Sequence, residues 1–168
     1  MGNNWKITDT LTKVFADEVP DGQGSIRLST LHRETVSCVI AYFGAADWGR
    51  YWKVSVKAPE KIETRLRRVE LVPSAYPCHK EQDDNYLRIV PGMYPDLLRD
   101  LDTEDDGADK KYLTKEVPGQ WRSLWLDVTV DAELAGGDYA IMIETETENG
   151  EKETLKADLH VVLSLIHI

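Results

Sequence analysis

Apolar and polar residues alternate with period two along most of the chain, and no stretch of a dozen residues shows an apolar stripe of helical spacing. The clearest runs are 139–146 and 155–163, near the end of the sequence. Between them stands Asn149-Gly150, a pair that favours the type I′ turn of a two-residue hairpin loop. These runs predict a β-hairpin with one buried face.

The same alternation predicts further strands, which are separated by turn-forming pairs such as Asp21-Gly22 and Pro118-Gly119. They are expected at 6–15, 25–31, 36–42, 52–56, 65–72 and 120–130. Seven or eight strands at this spacing predict an all-β fold, an antiparallel two-sheet sandwich of the Ig-like or jelly-roll-like kind. Residues 1–163 are expected to form this single domain.

About forty residues, 74–116, interrupt the strand rhythm and predict one long irregular insertion. The first part of this insertion is rich in tyrosine, leucine and proline, which suit a packed but irregular path. The part at 102–109 is dominated by Asp and Glu and predicts an acidic, mobile tip.

The net charge of −10 is concentrated in one segment. Residues 81–109 contain ten acidic side chains against two basic ones, a local charge of −8. Such a surface repels phosphates, so we expect no nucleic-acid partner. No apolar run approaches the roughly 20 residues of a membrane-spanning helix, and no secretory leader is visible, so we expect no membrane partner and a cytoplasmic location.

Two cysteines are too few for a disulfide framework or a zinc cluster. Cys38 lies in a predicted strand and is expected in the core. Cys78 and His79 are neighbours, but adjacent side chains seldom converge and no third partner is visible. We therefore predict no metal and no cofactor.

The acidic tip has the oxygen-bearing residues of a calcium loop at Asp102, Glu104 and Asp106. The position where a bidentate Glu should close such a loop is Leu113. A solvated run of charges is the favoured interpretation.

Two groups of residues in the sequence suit carbohydrate chemistry. Paired carboxylates at Asp83-Asp84 with Asp96 are of the type that glycosidases use, although capping and turn hydrogen bonds are the favoured role. Trp121 and Trp125 share one face of a strand, either buried beneath the 74–116 segment or a partner domain, which we favour, or exposed as a sugar-stacking surface. The substrate-contact or domain-interface candidates are Asp84, Asn85, Tyr86, Arg88, Tyr94, Asp96, Trp121 and Trp125.

Six segments, taken in order, carry a resemblance to a known family. They read TDTLTKVF at 8–15, HRETVS at 32–37, VELVPS at 69–74, DNYLR at 84–88, PGMYPD at 91–96 and PGQWRSLW at 118–125. Together they resemble the amino-terminal β-sandwich of bacterial proteins that have a glycoside hydrolase family 123-type catalytic domain. The resemblance covers nearly the whole chain.

The resemblance implies a (β/α)₈ barrel after the sandwich, with an Asp-Glu pair that acts on N-acetyl-hexosaminides by substrate assistance. The barrel motif that contains this pair has no counterpart in the sequence. Asp17-Glu18 is an adjacent Asp-Glu pair, but it lies within the sandwich and not in a barrel. We therefore assign no catalytic residue, and the implied partner is the protein's own C-terminal barrel. The alternatives are a stand-alone carbohydrate-binding module that uses exposed tryptophans, with carbohydrate as its partner, and an Ig-like spacer.

The last six residues, 163–168, match the translation of a transposon-end adapter used in sequencing libraries. This match predicts that residues 164–168 are a non-native tail and that the natural protein continues differently. The alternative is a genuine apolar end to the last strand.

Overall fold

The computed structural model describes residues 4–45, 48–79, 85–105 and 110–162, which form eleven β-strands and no helix. No membrane-spanning helix is found in these residues. The predicted tail and Asp84 lie outside the described residues. The strands are β1 Trp5–Thr8, β2 Ser25–Leu31, β3 Thr35–Phe43, β4 Tyr51–Lys57, β5 Ile62–Ser74, β6 Gly92–Asp100, β7 Asp102–Asp105, β8 Lys110–Lys115, β9 Trp121–Val130, β10 Gly137–Thr147 and β11 Lys152–Val162.

The strands form two sheets, which confirms the predicted all-β sandwich. The five-stranded sheet has the order β1-β3-β9-β5-β6, and all its pairs are antiparallel. The six-stranded sheet has the order β2-β11-β10-β4-β8-β7, where β2 runs parallel to β11 and the other pairs are antiparallel.

The core lies between the two sheets and follows the predicted alternation. The inner face of β9 carries Leu124, Leu126, Val128 and Val130, all completely buried. Cys38 on β3 pairs with Leu126 and is also completely buried, as predicted. Alternate residues of β10 and β11 cover this face from the other sheet.

The β10–β11 hairpin turns where predicted, but its turn is of a different type. Gly150 has a φ of 80°, whereas Asn149 does not adopt a positive φ. The Gly150 amide donates to the Thr147 carbonyl, and the Thr147 amide donates to the Glu151 carbonyl. A three-residue loop with glycine in the left-handed region therefore replaces the type I′ turn.

The 74–116 segment is more regular than predicted, because β6, β7 and β8 lie within it. Strand β6 is an edge strand with mostly exposed side chains and a proline, so it lacks the alternation by which a strand is recognised. Strand β7 is the acidic edge of the other sheet, and in its register with β8 Glu104 is opposite Lys111. Of the predicted acidic tip, residues 106–109 lie outside the described residues.

The predicted strand 6–15 ends at Thr8. The Asp9 carboxylate accepts hydrogen bonds from the backbone amides of Leu11 and Thr12, both at 2.9 Å, and so forms a tight turn. The chain leaves the sheet edge at this turn. Residues 10–16 then run across the outer face of the five-stranded sheet, where Val14 packs.

A buried carboxylate ties the start of β4 to the end of β8. Glu116 is 1% exposed, and its Oε1 accepts a hydrogen bond from Arg50 Nε at 2.9 Å. Trp52 Nε1 donates to the other carboxylate oxygen at 3.3 Å. The hydrogen bond with Glu116 raises the pKa of Arg50 above its ordinary value, so the guanidinium remains charged.

We expect Glu116→Gln to lower the free energy of unfolding by about 2 kcal/mol, because a buried charge-assisted bond is lost and Arg50 keeps its charge. Urea unfolding monitored by tryptophan fluorescence measures this. Glu104→Gln is the matched control, since its ion pair with Lys53 is half exposed and contributes little. Equal midpoints for the two variants would contradict the structural role of Glu116.

Candidate functional site on the outer face of the five-stranded sheet

Strand β9 has a second buried face, on the outside of the five-stranded sheet. Trp121 packs there in a small apolar cluster with Val14, Val39 and Ala41. Its backbone amide donates to the Ala16 carbonyl at 2.9 Å. Trp121 is only 8% exposed, so the expected burial is confirmed for this residue. Val14, Phe43 and Lys6 pack against it, and all three lie outside the 74–116 segment expected to cover it.

Farther along the same face, Asp127 binds three donors. Ser37 Oγ and Trp125 Nε1 donate to its Oδ1, each at 2.7 Å, and Arg67 donates to its Oδ2. Burial alone would raise the pKa of Asp127, but these three hydrogen bonds outweigh burial and hold the pKa below its ordinary value. The network fixes the indole of Trp125 against the sheet.

Trp125 forms part of the floor of a groove of about 220 Å³. Thr10, Thr12 and Lys13 lie on one side of this groove, and Pro95, Asp96 and Leu98 of β6 on the other. Trp125 is partly buried. An aromatic side chain flanked by hydroxyl, amine and carboxylate groups suits a small polar ligand with an apolar face.

Arg88 is the centre of a clasp between residues 15–18 and the segment that precedes β6. Its guanidinium lies 3.9 Å from the centre of the Phe15 ring. It also donates to Asp17 at 2.8 Å and to Glu18. The hydrogen bond with Asp17 raises the pKa of Arg88, and the same bond lowers the pKa of Asp17. Stacking on a ring and pairing with carboxylates together use the planar geometry particular to arginine.

Tyr94 and Cys78 fasten the same segment from the other side. The Tyr94 hydroxyl donates to the carbonyls of Val90 and Arg88, and its ring meets Phe15 edge-on at 5.8 Å. Cys78 Sγ donates to the Ile89 carbonyl at 3.7 Å. Residues 85–91 are thus held in place without belonging to a strand.

The structure brings most of the predicted site residues together. One pocket of about 550 Å³ is lined by Asn85, Tyr86, Arg88, Tyr94 and Asp96. Asp96 also lines the groove over Trp125, so the two depressions are neighbours. Trp121 is buried away from both.

Several acidic side chains of this face are held by hydrogen-bond donors within the fold. Asp17 and Glu18 share the single positive charge of Arg88, and Asp127 is held by three donors. Within the described ranges, no group of three or more His, Cys, Asp or Glu side chains is arranged to hold a metal ion. Burial raises the pKa of the Cys38 thiol to about 12, which leaves it unreactive.

Sequence reasoning missed the residues that position this site. Phe15 was assigned to a strand, and Asp17-Glu18 was considered only as a catalytic pair. The sequence did contain a signal for an ion pair at Arg88, which is one of only two basic residues in the acidic 81–109 segment. The signal did not show whether the partner carboxylate is near in sequence or distant. The partner could not be chosen, since Arg88 and Asp17 are 71 residues apart in sequence.

We expect Asp127→Asn to be destabilised at neutral pH and to approach the wild type as the pH falls. A carboxylate with a lowered pKa contributes stability above its unfolded pKa of about 3.9, and this contribution is lost as the pH falls through the folded pKa. Thermal unfolding from pH 7 to pH 2.5 measures the difference. The exposed Asp21 supplies the control Asp21→Asn; a gap for Asp127→Asn that stays constant with pH would be inconsistent with the network.

No family model matches the sequence, and no curated protein sequence matches it. Among solved structures, the fold is similar to a family 123 glycoside hydrolase from Clostridium perfringens, studied for glycolipid glycan hydrolysis, with a TM-score of 0.64 and 9% identity. The likeness covers 95% of this chain and 27% of that chain. The N-terminal domain of PorA is a weaker neighbour, with a TM-score of 0.46, 8% identity, and coverage of 94% of this chain and 96% of that one. At these identities the likeness shows the fold: this chain spans about a quarter of the length of the hydrolase that it matches.

Proposed function

We propose that this chain is the non-catalytic amino-terminal β-sandwich of a larger glycoside hydrolase of the N-acetyl-hexosaminidase type, and that it supports a catalytic (β/α)₈ barrel. The observation that carries the proposal is the fold likeness to a family 123 glycoside hydrolase, over 95% of this chain but only 27% of that protein. The six ordered sequence segments support the same family independently of the fold.

The distribution of carboxylates supports a non-catalytic role for this domain. A glycosidase of the common two-carboxylate kind needs one group that can be protonated and a second that remains free to act across the substrate. In the part of the chain that the structure describes, Asp127 and Glu116 are both committed to fixed donors. Asp17 and Glu18 share one arginine. These groups serve folding rather than proton transfer.

The pocket beside Arg88 is the part of the sandwich best suited to face the barrel. Asn85, Tyr86 and Asp96 are exposed there and have hydrogen-bonding side chains. Tyr94 is fixed by its hydrogen bonds to the backbone. We assign these residues to the domain interface or to the rim of the catalytic cleft.

Carbohydrate binding by the sandwich itself is the second candidate function. The groove over Trp125 favours it, because a fixed indole lies next to Asp96 and Lys13. Burial of Trp121 removes the second ring of the stacking surface considered from sequence. Trp48 is exposed, but it does not line this groove.

The proposal predicts that the 168-residue chain leaves 4-nitrophenyl N-acetyl-β-D-galactosaminide uncleaved. The longer polypeptide, expressed from the native gene with the coding sequence downstream of codon 163, is expected to hydrolyse it at an enzyme-like rate. Release of 4-nitrophenolate measures both. An active isolated chain, or a downstream sequence without a barrel, would refute the assignment.

The binding-module alternative predicts a change in tryptophan fluorescence when the isolated chain is titrated with N-acetyl-hexosamine oligosaccharides. Trp125→Phe should abolish the change, whereas Trp48→Phe should retain it, because only Trp125 lines the groove. An unchanged spectrum at millimolar sugar excludes this alternative.

A further inference from the structure

The arm formed by residues 85–93 turns apolar side chains to solvent and its charged side chain inward. Thirteen large apolar side chains are exposed in the part of the chain that the structure describes, and five of them lie in these nine residues. They are Tyr86, Leu87, Ile89, Val90 and Met93. Leu87 is 72% exposed, whereas the side chain of Arg88 is only 12% exposed. This polarity is the inverse of that of an ordinary surface loop.

The arm is held rigidly in this arrangement. Arg88 is stacked on Phe15 and paired with two carboxylates, and the Tyr94 hydroxyl binds the carbonyls of Arg88 and Val90. A loop fixed before binding loses less conformational freedom when a partner arrives, and this raises affinity. An apolar surface that is both exposed and preorganised has the properties of an interface.

Charges around the arm restrict the kind of partner. Asp17 and Glu18 lie beside it with carboxylates that are 69% and 62% exposed, and Asp96 is exposed on β6. The chain as a whole carries a charge of −10. An acidic rim repels the anionic surface of a membrane and suits a protein surface with an apolar centre and a basic rim.

We infer that the 85–93 arm is the docking face for a second folded domain of the same polypeptide, with an apolar patch and a basic rim. This inference rests on the proposed function, which supplies that domain. In the solved hydrolase of similar fold, the matched region is only 27% of the chain, so the rest of that polypeptide is long enough to supply a further domain as the partner. Interfaces between domains of one chain combine an apolar centre with polar edges in this way.

The test compares the reactivity of a thiol on the arm in two proteins. Ile89→Cys is made in a Cys78→Ser background, in the 168-residue chain and in the longer polypeptide expressed from the native gene. Cys38 is buried and gives no background. Thr154→Cys in the same background is the matched control, because Thr154 is exposed on the six-stranded sheet, away from the arm. The rate of reaction with 5,5′-dithiobis(2-nitrobenzoic acid) is measured for each.

We expect the arm thiol to react at least tenfold more slowly in the longer polypeptide, with the control thiol unchanged. Equal rates at Ile89→Cys would overturn the inference even if the longer polypeptide hydrolyses the galactosaminide. Protection without hydrolysis would support the docking face and refute the hydrolase assignment. If the arm thiol of the isolated chain became protected as the protein concentration rises, a second copy would be the occupant and the inference would be overturned. A native reading frame that encodes no further domain would also overturn it.

Discussion

Strand β9 is completely buried on its inner face and partly covered on its outer face, and most other features of the molecule depend on how the outer face is covered. Its inner face needs only the opposing sheet, because Leu124, Leu126 and Val128 meet the side chains of β10 and β11. Its outer face carries Trp121 and Trp125, whose exposure would leave a large apolar surface in water. The fold therefore requires a third layer on this side of the five-stranded sheet.

Residues 10–16 supply that layer, and doing so determines where the arm can lie. The turn at Asp9 diverts the chain from the edge of the sheet onto its face, where Val14 closes over Trp121. This path places the Phe15 ring under the Arg88 guanidinium and brings the Asp17 and Glu18 carboxylates next to the same guanidinium. The position of the candidate site is thus a consequence of covering β9, although the site residues lie some thirty positions earlier in the sequence than β9 itself.

The sequence predicted those elements whose two faces differ in polarity. Strands β9, β10 and β11 alternate cleanly, because one face meets the core and the other meets water or a lighter cover. Strand β6 escaped prediction, since an edge strand with two largely exposed faces has no reason to alternate. Strand β7 was hidden for a related reason, because it is a short run of acidic and polar residues at a sheet edge, and β8 buries only Tyr112 and Thr114.

The candidate site was recovered in part for an equally physical reason. Asn85, Tyr86, Arg88, Tyr94 and Asp96 are close in sequence, so any compact path brings them to one place. Their long-range partners depend on tertiary structure, because nothing local links Phe15 or Asp17 to Arg88. The buried Glu116 was missed because a Glu after a strand is normally solvated, and only the convergence of Arg50 and Trp52 makes its burial tolerable.

Placing a charged side chain inward on the arm also accounts for the apolar side chains that face outward. The ring of Phe15 offers an apolar surface, and packing Leu87 or Ile89 against it would be favoured by the burial of apolar area. Arg88 packs against the ring instead, because its guanidinium stacks on Phe15 and binds two carboxylates at once, which no aliphatic side chain can do. Leu87 and Ile89 therefore do not pack on the Phe15 ring and remain exposed at the surface. The clasp therefore maintains the exposed apolar side chains that form the proposed docking face.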